Sequence, residues 1–297
     1  MKTVNYAAID IGSNAARLLI KKVETDGVTP VFTKQLFLRV PLRLGFDVFR
    51  EGRVSDAKAK KMERLMKAYR QLMKIYDVDR YRACATSAMR DAANGPKLIE
   101  SILKDTGIQI EIIPGEEEAR IVYNNHVEQL EDREGNYVYV DVGGGSTEIN
   151  FLTNGELVCS RSYNIGTIRI LNGGVSEAAW QRMRDELSEL AASYSDVHII
   201  GSGGNINKLY RLTGKKEKKR ILTLEELRGL YTALKPLTPE ERIKEFKLKT
   251  DRADVIVPAA EIFLTVAAAV RAVDINVPVI GLCDGIIDTL YKADFPG

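Results

Sequence analysis

At 297 residues the chain exceeds one ordinary domain and is long enough for two, each able to bury a core. Hydrophobic residues make up 45% and charged residues 28%, which excludes disordered, fibrous and collagen-like classes. Basic and acidic residues number 43 and 41, a net charge of +2, so no overall basic field marks a nucleic-acid-binding protein and no nucleic-acid partner is expected.

The chain opens from Met1 into a strand that already contains Asp10, with no apolar signal region, so export is not expected. Residues Tyr6 to Ile11, Gly12-Ser13-Asn14 and Arg17 to Ile20 read as strand, tight turn and strand, a hairpin with a polar tip. A third strand is expected near Val31 to Val40. A helix follows near Ser55 to Ile75, with Met62, Leu65, Met66 and Tyr69 at helical spacing. Tyr81 to Ala85 reads as a strand with Thr86 to Arg90 at its end, and Ile108 to Ile113 as a β-rich run that Pro114-Gly115 breaks before a helix starting near Glu116.

The second half repeats the opening. Tyr137 to Val142 is a strand, Gly143-Gly144-Gly145-Ser146-Thr147 a turn, and Glu148 to Leu152 a returning strand. The distance from Asp10 to Asp141 is far longer than a solenoid period, so a domain has been duplicated. The polar stretch Gln129 to Asn136 is the expected boundary, giving an N-terminal domain over 1–128 and a C-terminal domain over 129–297, with the last helix allowed to pack back on the first. A helix is expected after Ser176, then a strand at Val197 to Gly201 and a glycine turn at Ser202-Gly203-Gly204. Further helices should start at Thr223 and Thr238, where Thr-x-x-Glu forms reciprocal capping boxes. Val255 to Ile275, interrupted by Pro258, Glu261 and Arg271, is a buried helix and not a membrane span, and Val277 to Leu282 is the final strand before a short C-terminal helix.

The chemistry concentrates in the two hairpins. Glycine lets backbone N–H groups approach phosphate oxygens closely, and Gly12, Ser13 and Asn14 in one turn, with Gly143, Gly144, Gly145, Ser146 and Thr147 in the other, combine that approach with hydroxyl and amide donors. Asp10 and Asp141 end the strands before these loops, where a carboxylate would repel phosphate unless a divalent cation intervenes. Mg²⁺, held by one or two carboxylates plus water and phosphate oxygens, suits such a place. The plain alternative is that each Asp only caps its turn.

Glu116, Glu117 and Glu118 occupy the first turn of a helix, where a favourable dipole interaction is the bland explanation. With Ala119, Val122, Tyr123 and Val127 forming the apolar face, Glu117 is read as outermost, and Glu116 and Glu118 stay open as groups to position a water. Arg90 and Arg17 are either phosphate-holding cations or members of ion pairs, Arg90 with Asp91. Lys215 to Arg220 is a charge run, read as a solvated loop that could also guide a polyanion. His126 and His198, the only histidines, have no partner at metal-ligand spacing, and Cys84, Cys159 and Cys283 lack C-x-x-C spacing and are read as buried thiols of a reducing cytoplasm.

Asp10-Ile-Gly-Ser-Asn14, Ala85-Thr-Ser-Ala-Met-Arg-Asp91, Gly115-Glu-Glu-Glu-Ala-Arg120, Asp141-Val-Gly-Gly-Gly-Ser-Thr-Glu148 and Gly201-Ser-Gly-Gly204, in this order over nearly the whole chain, resemble the successive motifs of the exopolyphosphatase and guanosine pentaphosphate phosphohydrolase family. The resemblance implies an α/β fold of two duplicated actin-like ATPase (ribonuclease H-like) domains with an interdomain cleft. It implies Glu118 as catalytic base, Arg90 as substrate-binding arginine, Asp141 as the magnesium-linked aspartate and Glu148 as the acid that closes the second phosphate motif. Asp141, Asp10 and Glu148 are thus the expected metal residues, for Mg²⁺ or Mn²⁺, and Gly203 in the third glycine turn is expected in a further phosphate wall. Polyphosphate is the expected substrate, guanosine penta- or tetraphosphate the alternative, and a homodimer is left open. Departures from the family pattern are Ala15 for a second serine, Pro114 for a serine, and Gly281-Leu-Cys-Asp-Gly-Ile-Ile-Asp288, which loses an arginine. An ATPase or kinase of the same fold, or a silent sensor of polyphosphate or an alarmone, are the rival readings.

Overall fold

The computed structural model describes residues 2–26, 29–127, 134–279 and 281–296, and the side chains of 123–127 lie outside that description. The chain forms two compact units, Met1–Asn125 with Gly281–Gly297, and His126–Ile280.

In the first unit β1 (Lys2–Ile11), β2 (Ala16–Thr25) and β3 (Val31–Val40) form an antiparallel meander. Helices α1 (Gly45–Glu51) and α2 (Asp56–Ile75) follow, then β4 (Arg80–Ala85), α3 (Ser87–Asp91), α4 (Gly95–Thr106), β5 (Ile110–Ile112) and α5 (Gly115–Val127). Ser55 caps α2 by accepting from the Lys58 amide, and the helix buries Met62, Met66, Tyr69 and Met73. These four sit with Ile9, Ile11, Leu18 and Ile20 in one core. The sheet runs β3-β2-β1-β4-β5, with β4 and β5 parallel to β1.

The second unit repeats that plan. The strands β6 (Asn136–Val142), β7 (Thr147–Thr153) and β8 (Glu156–Tyr163) form its meander, followed by α6 (Thr167–Leu171), α7 (Glu177–Ala191), β9 (Val197–Ser202) and α8 (Gly204–Leu212). Then come β10 (Ile221–Thr223), α9 (Leu224–Leu234), α10 (Pro239–Phe246), α11 (Thr250–Ala253), α12 (Ile256–Ala269) and β11 (Asp274–Asn276). The sheet order is β10-β11-β9-β6-β7-β8, with β9 and β11 parallel to β6 and β10 added antiparallel at the edge. Leaving β10 aside, the strands in order of sequence occupy the same places in both sheets. That is the duplication expected from the repeated hairpin, in the ribonuclease H-like order that the family resemblance implied. Both capping boxes form, Thr223 with Glu226 and Thr238 with Glu241.

Two expectations are corrected. The last strand is Asp274–Asn276 and not Val277 to Leu282, because the chain turns after Val277 and α13 (Leu282–Asp294) already begins at Leu282. The apolar run from Val255 is a helix only as far as Ala269, and no helix among the described residues is long and apolar enough to cross a membrane. The second unit ends at Ile280, and α13 lies with the first, burying Cys283, Ile286, Ile287 and Leu290 along β1, β2 and β4. Lys21 holds Asp284 at 2.7 Å and the Tyr6 hydroxyl donates to Asp294 at 2.8 Å, pinning both ends of that helix. The expected boundary stretch, Gln129 to Asn136, lies largely outside the described residues.

Cys84 and Cys283 are buried, and Cys159 on β8 is only half-buried. Burial pushes the Cys84 thiol up to about 12 and raises Cys283 as well. Neither forms much thiolate at neutral pH, so native protein treated with iodoacetamide should be alkylated at Cys159 well before Cys84 or Cys283, as read by peptide mass spectrometry. Equal labelling of all three would contradict this packing.

Candidate active site

The loop after β6 is built from its neighbours. Gly143 N–H donates to the Ser146 carbonyl at 2.9 Å and closes the turn. Every glycine carbonyl in it is then claimed by α6 or the residues that begin it. The Gly143 carbonyl accepts from Thr167 N–H at 3.0 Å, Gly144 from Ile168 N–H at 2.8 Å and Arg169 N–H at 3.0 Å, and Gly145 from the Arg169 Nε–H at 2.8 Å. A trans peptide is planar with its C=O and N–H opposed. Carbonyls turned toward α6 therefore turn the N–H groups of Gly144, Gly145 and Ser146 the other way. None of these three donates to a protein acceptor among the described residues. Converging donors of this kind make an anion nest.

Gly166 makes the clamp geometrically feasible. A Cβ there would lie 2.4 Å from the Gly145 carbonyl carbon and 2.5 Å from Gly144 C and Gly145 N. Sequence reasoning missed Gly166, Thr167 and Arg169; the signal available was a lone glycine placed before a threonine at the end of a strand. It also assigned Thr147 to phosphate. The structure corrects that: Thr147 is fully buried and its hydroxyl donates to the Ile165 carbonyl at 2.6 Å, fixing the loop's base. Ser146 is buried at 2% exposure.

Asp141 stands opposite Glu148 in the β6–β7 register and beside Ser202 across β9. Glu148 is 2% exposed and accepts from the Ser162 hydroxyl at 3.0 Å. Gly203, between β9 and α8, has φ of +94°, and a Cβ there would lie 3.0 Å from Asp141 Oδ1, so only glycine seats comfortably against this carboxylate. Two carboxylates on adjacent strands offer hard oxygen donors that fit Mg²⁺ better than a soft metal.

In the first unit Gly12 N–H donates to the Ala15 carbonyl at 3.1 Å, while the Ser13 and Asn14 carbonyls accept from Gly45 N–H at 2.9 Å and Arg43 N–H at 2.8 Å. The two hairpins thus share one construction, a closing bond plus carbonyls held by the following segment. The Ser13 hydroxyl pairs with the Ser87 hydroxyl at 2.8 Å in a buried contact that supports the loop. Ala15 is buried. Asp10 is buried and ion-paired with Arg17, its partner across β1–β2. Its charge thus has a resident counter-ion, which corrects the argument that a cation must be supplied beside Asp10. Among the described residues no group of three or more His, Cys, Asp or Glu could hold a metal, and Asp10 belongs to one unit while Asp141 and Glu148 belong to the other.

Arg90 ends α3, and its Nη1 donates to the Ile113 carbonyl at 2.7 Å; that bond, and not Asp91, anchors it. Glu118 is half-buried with one carboxylate oxygen sealed from solvent, and its amide bonds the Pro114 carbonyl at 3.0 Å to start α5. Glu116 is the exposed member of the three. Glu117 is not outermost as the helical spacing implied, because Arg82 on β4 reaches it at 2.6 Å and Glu111 at 2.8 Å. His198 pairs with Asp274 at 2.7 Å, while the side chains of His126, Tyr123 and Val127 are outside the described set.

Known proteins share this organisation. The chain is 32% identical over 168 residues to the bifunctional 3-dehydroquinate synthase/phosphatase of Fusobacterium nucleatum, covering 55% of this chain and 25% of that protein. It is 29% identical over 239 residues to the guanosine-5'-triphosphate,3'-diphosphate pyrophosphatase of Aeromonas hydrophila, covering 75% and 47%. The chain thus spans a quarter of the first relative and about half of the second. Exopolyphosphatase 1 of Mycobacterium tuberculosis is 26% identical over 294 residues, covering 92% and 83%. Among solved structures, the Aquifex aeolicus Ppx/GppA protein superposes with a TM-score of 0.79 at 27% identity, covering 99% of both chains. An exopolyphosphatase from Cytophaga hutchinsonii, at 22% identity and a TM-score of 0.86, shares the fold. Residues 24–293 match the Ppx/GppA phosphatase family, and the chain belongs to it.

Proposed function

We propose that the protein hydrolyses phosphoanhydrides and releases the terminal phosphate of inorganic polyphosphate. The observation that carries this reading is the glycine loop whose three N–H groups point away from α6 while every glycine carbonyl is held. Such a loop takes phosphate oxygens, and family membership supplies the reaction class.

In this reading the Gly144, Gly145 and Ser146 amides receive oxygens of the phosphate chain, and Arg90, braced by Ile113, neutralises charge that builds on the transferring group. Glu118 orients a water and takes its proton as the water oxygen bonds to the terminal phosphorus. The bond from that phosphorus to the bridging oxygen breaks, and the bridging oxygen leaves on the shortened chain. Asp141 and Glu148 would hold Mg²⁺, which when bound neutralises phosphate charge. Glu148's burial on a strand fits a fixed ligand or a fixed support for one.

Guanosine pentaphosphate is the second substrate to weigh, supported by the similarity to the Aeromonas guanosine-5'-triphosphate,3'-diphosphate pyrophosphatase. Phosphate release should be measured from polyphosphates of several lengths and from guanosine pentaphosphate, with and without Mg²⁺. Faster, Mg²⁺-dependent release from polyphosphate is expected. Turnover of the nucleotide alone would reverse the substrate assignment, ADP formed from ATP would favour an ATPase, and tight binding without turnover would identify a sensor.

A further inference from the structure

The helix that starts beside the Asp141 carboxylate carries more positive charge than its surroundings balance. From Gly204 at its first position, Lys208 and Arg211 follow at helical spacing on one face of α8, roughly 6 and 10 Å along the axis. Arg220, the last residue of the Lys215 to Arg220 run, folds back onto the same helix. Its guanidinium carbon lies 4.5 Å from the Tyr210 ring centroid, its Nη2 donates to Asn207 Oδ1 at 2.8 Å, and its Nε donates to the Val277 carbonyl at 2.9 Å. Asn207 in turn donates to the Gly203 carbonyl at 3.0 Å, tying Arg220 to the glycine turn beside Asp141.

The three cations have only neutral hydrogen-bond partners. Lys208 Nζ approaches the Phe246 carbonyl at 3.5 Å, and Arg211 Nε donates to the Asn207 carbonyl at 3.3 Å. Among the described residues no carboxylate pairs with Lys208, Arg211 or Arg220. Elsewhere Arg17 has Asp10, Lys58 has Asp47 and Arg82 has Glu117, whereas buried Arg242 is satisfied by three backbone carbonyls without gathering other cations beside it. Burial, then Arg211, then Arg252 hold the Lys208 ammonium below its ordinary value, so its charged neighbours repel it. Lys208 and Arg220 are half-buried and Arg211 is exposed beside them, and like charges gathered without a counter-ion leave a deficit that an anion would fill.

We infer that Lys208, Arg211 and Arg220 form a second phosphate subsite, which binds phosphates of a polyphosphate chain beyond those held by the Gly143–Ser146 loop. The inference rests on the proposed polyphosphate reading and adds chain-length selectivity to it. A short chain reaches only the loop. A long chain also neutralises the α8 cations and releases their counter-ions.

The test compares equilibrium binding of long-chain polyphosphate and of tripolyphosphate to the full-length protein and to Lys208→Gln/Arg211→Gln, with Lys208→Arg as a charge-retaining control. Arg220→Gln is measured separately, since it also loses a hydrogen bond to Val277. The ratio of long-chain to tripolyphosphate affinity should fall by about tenfold or more in the double variant at ~0.1 M salt, its dependence on salt should flatten, and Lys208→Arg should keep the ratio. An unchanged ratio in a folded variant overturns the subsite, as does equal loss of both ligands. Equal loss of a single-stranded oligonucleotide of matched charge overturns its assignment to a phosphate chain. If the wild type shows the ratio but hydrolyses nothing, the subsite stands and the hydrolase reading falls; if it hydrolyses polyphosphate while the ratio ignores these residues, the reverse holds.

Discussion

Glu118→Gln should lower phosphate release from polyphosphate by about 10²- to 10⁴-fold while leaving binding of the same polymer near the wild-type level. The substitution keeps size and hydrogen-bonding reach but removes the basic oxygen. The protein should still fold, because the amide side chain satisfies a half-buried position without introducing a charge, and α5 begins through the backbone bond to Pro114, not through the carboxylate. Circular dichroism and thermal unfolding check that condition. Glu116→Gln serves as the comparison: Glu116 is exposed, and its loss should change turnover by less than about twofold, as for an ordinary surface position. If Glu118→Gln retains near-wild-type release while folding normally, another group activates the water. If both variants are equally impaired, the acidic turn acts as a field and not through one base.

Gly166→Ala should be the most damaging small substitution in the second unit. Its φ of −139° is open to any residue, so the cost is steric alone. A methyl group 2.4 Å from the Gly145 carbonyl carbon meets backbone on the loop side, and neither the closed turn nor α6 can yield without breaking the bonds between them. A loss of about 2–3 kcal/mol and a fall in Tm of roughly 5–10 °C are expected. Phosphate release should fall further than stability explains, since the N–H groups of Gly144, Gly145 and Ser146 keep their direction only while Thr167, Ile168 and Arg169 hold the carbonyls. Residual protein folded at low temperature should therefore bind tripolyphosphate weakly. Wild-type binding in such protein would show that α6 merely neighbours the loop.

Much of this was legible in residue order. The duplicated hairpins were, because an acid, glycines and apolar runs recur in the same sequence twice, and local turn chemistry needs few distant contacts to form. Thr223 and Thr238 were, because a capping box is written within four residues. The cross-strand ion pair of Asp10 with Arg17 was not, since it depends on register, and the reading of Glu117 failed for a related reason. Helical periodicity sees one helix, whereas Arg82 comes from a strand 35 residues earlier. Thr147 misled because a hydroxyl in a phosphate loop and a hydroxyl beneath it look alike in sequence; only the carbonyl of Ile165 distinguishes them. The strand end near Val277 failed because, of the apolar residues there, Val277 is buried and bonds the Arg220 carbonyl, whereas Val279 is exposed; apolar character alone does not tell a strand from a turn.

The membership of α13 bears on how the molecule is made. One unit is written as an uninterrupted stretch, His126–Ile280, whereas the other joins segments on either side of it, with β1 made before that stretch and the helix that covers it made after. During synthesis the continuous unit has all of its strands in hand before the discontinuous one can seal the apolar faces of β1 and β4. Ile286, Ile287 and Leu290 are the seal. While His126–Ile280 is being made, the earlier-made sheet waits uncovered on that side, an interval in which a nascent chain is open to chaperones and to misassembly.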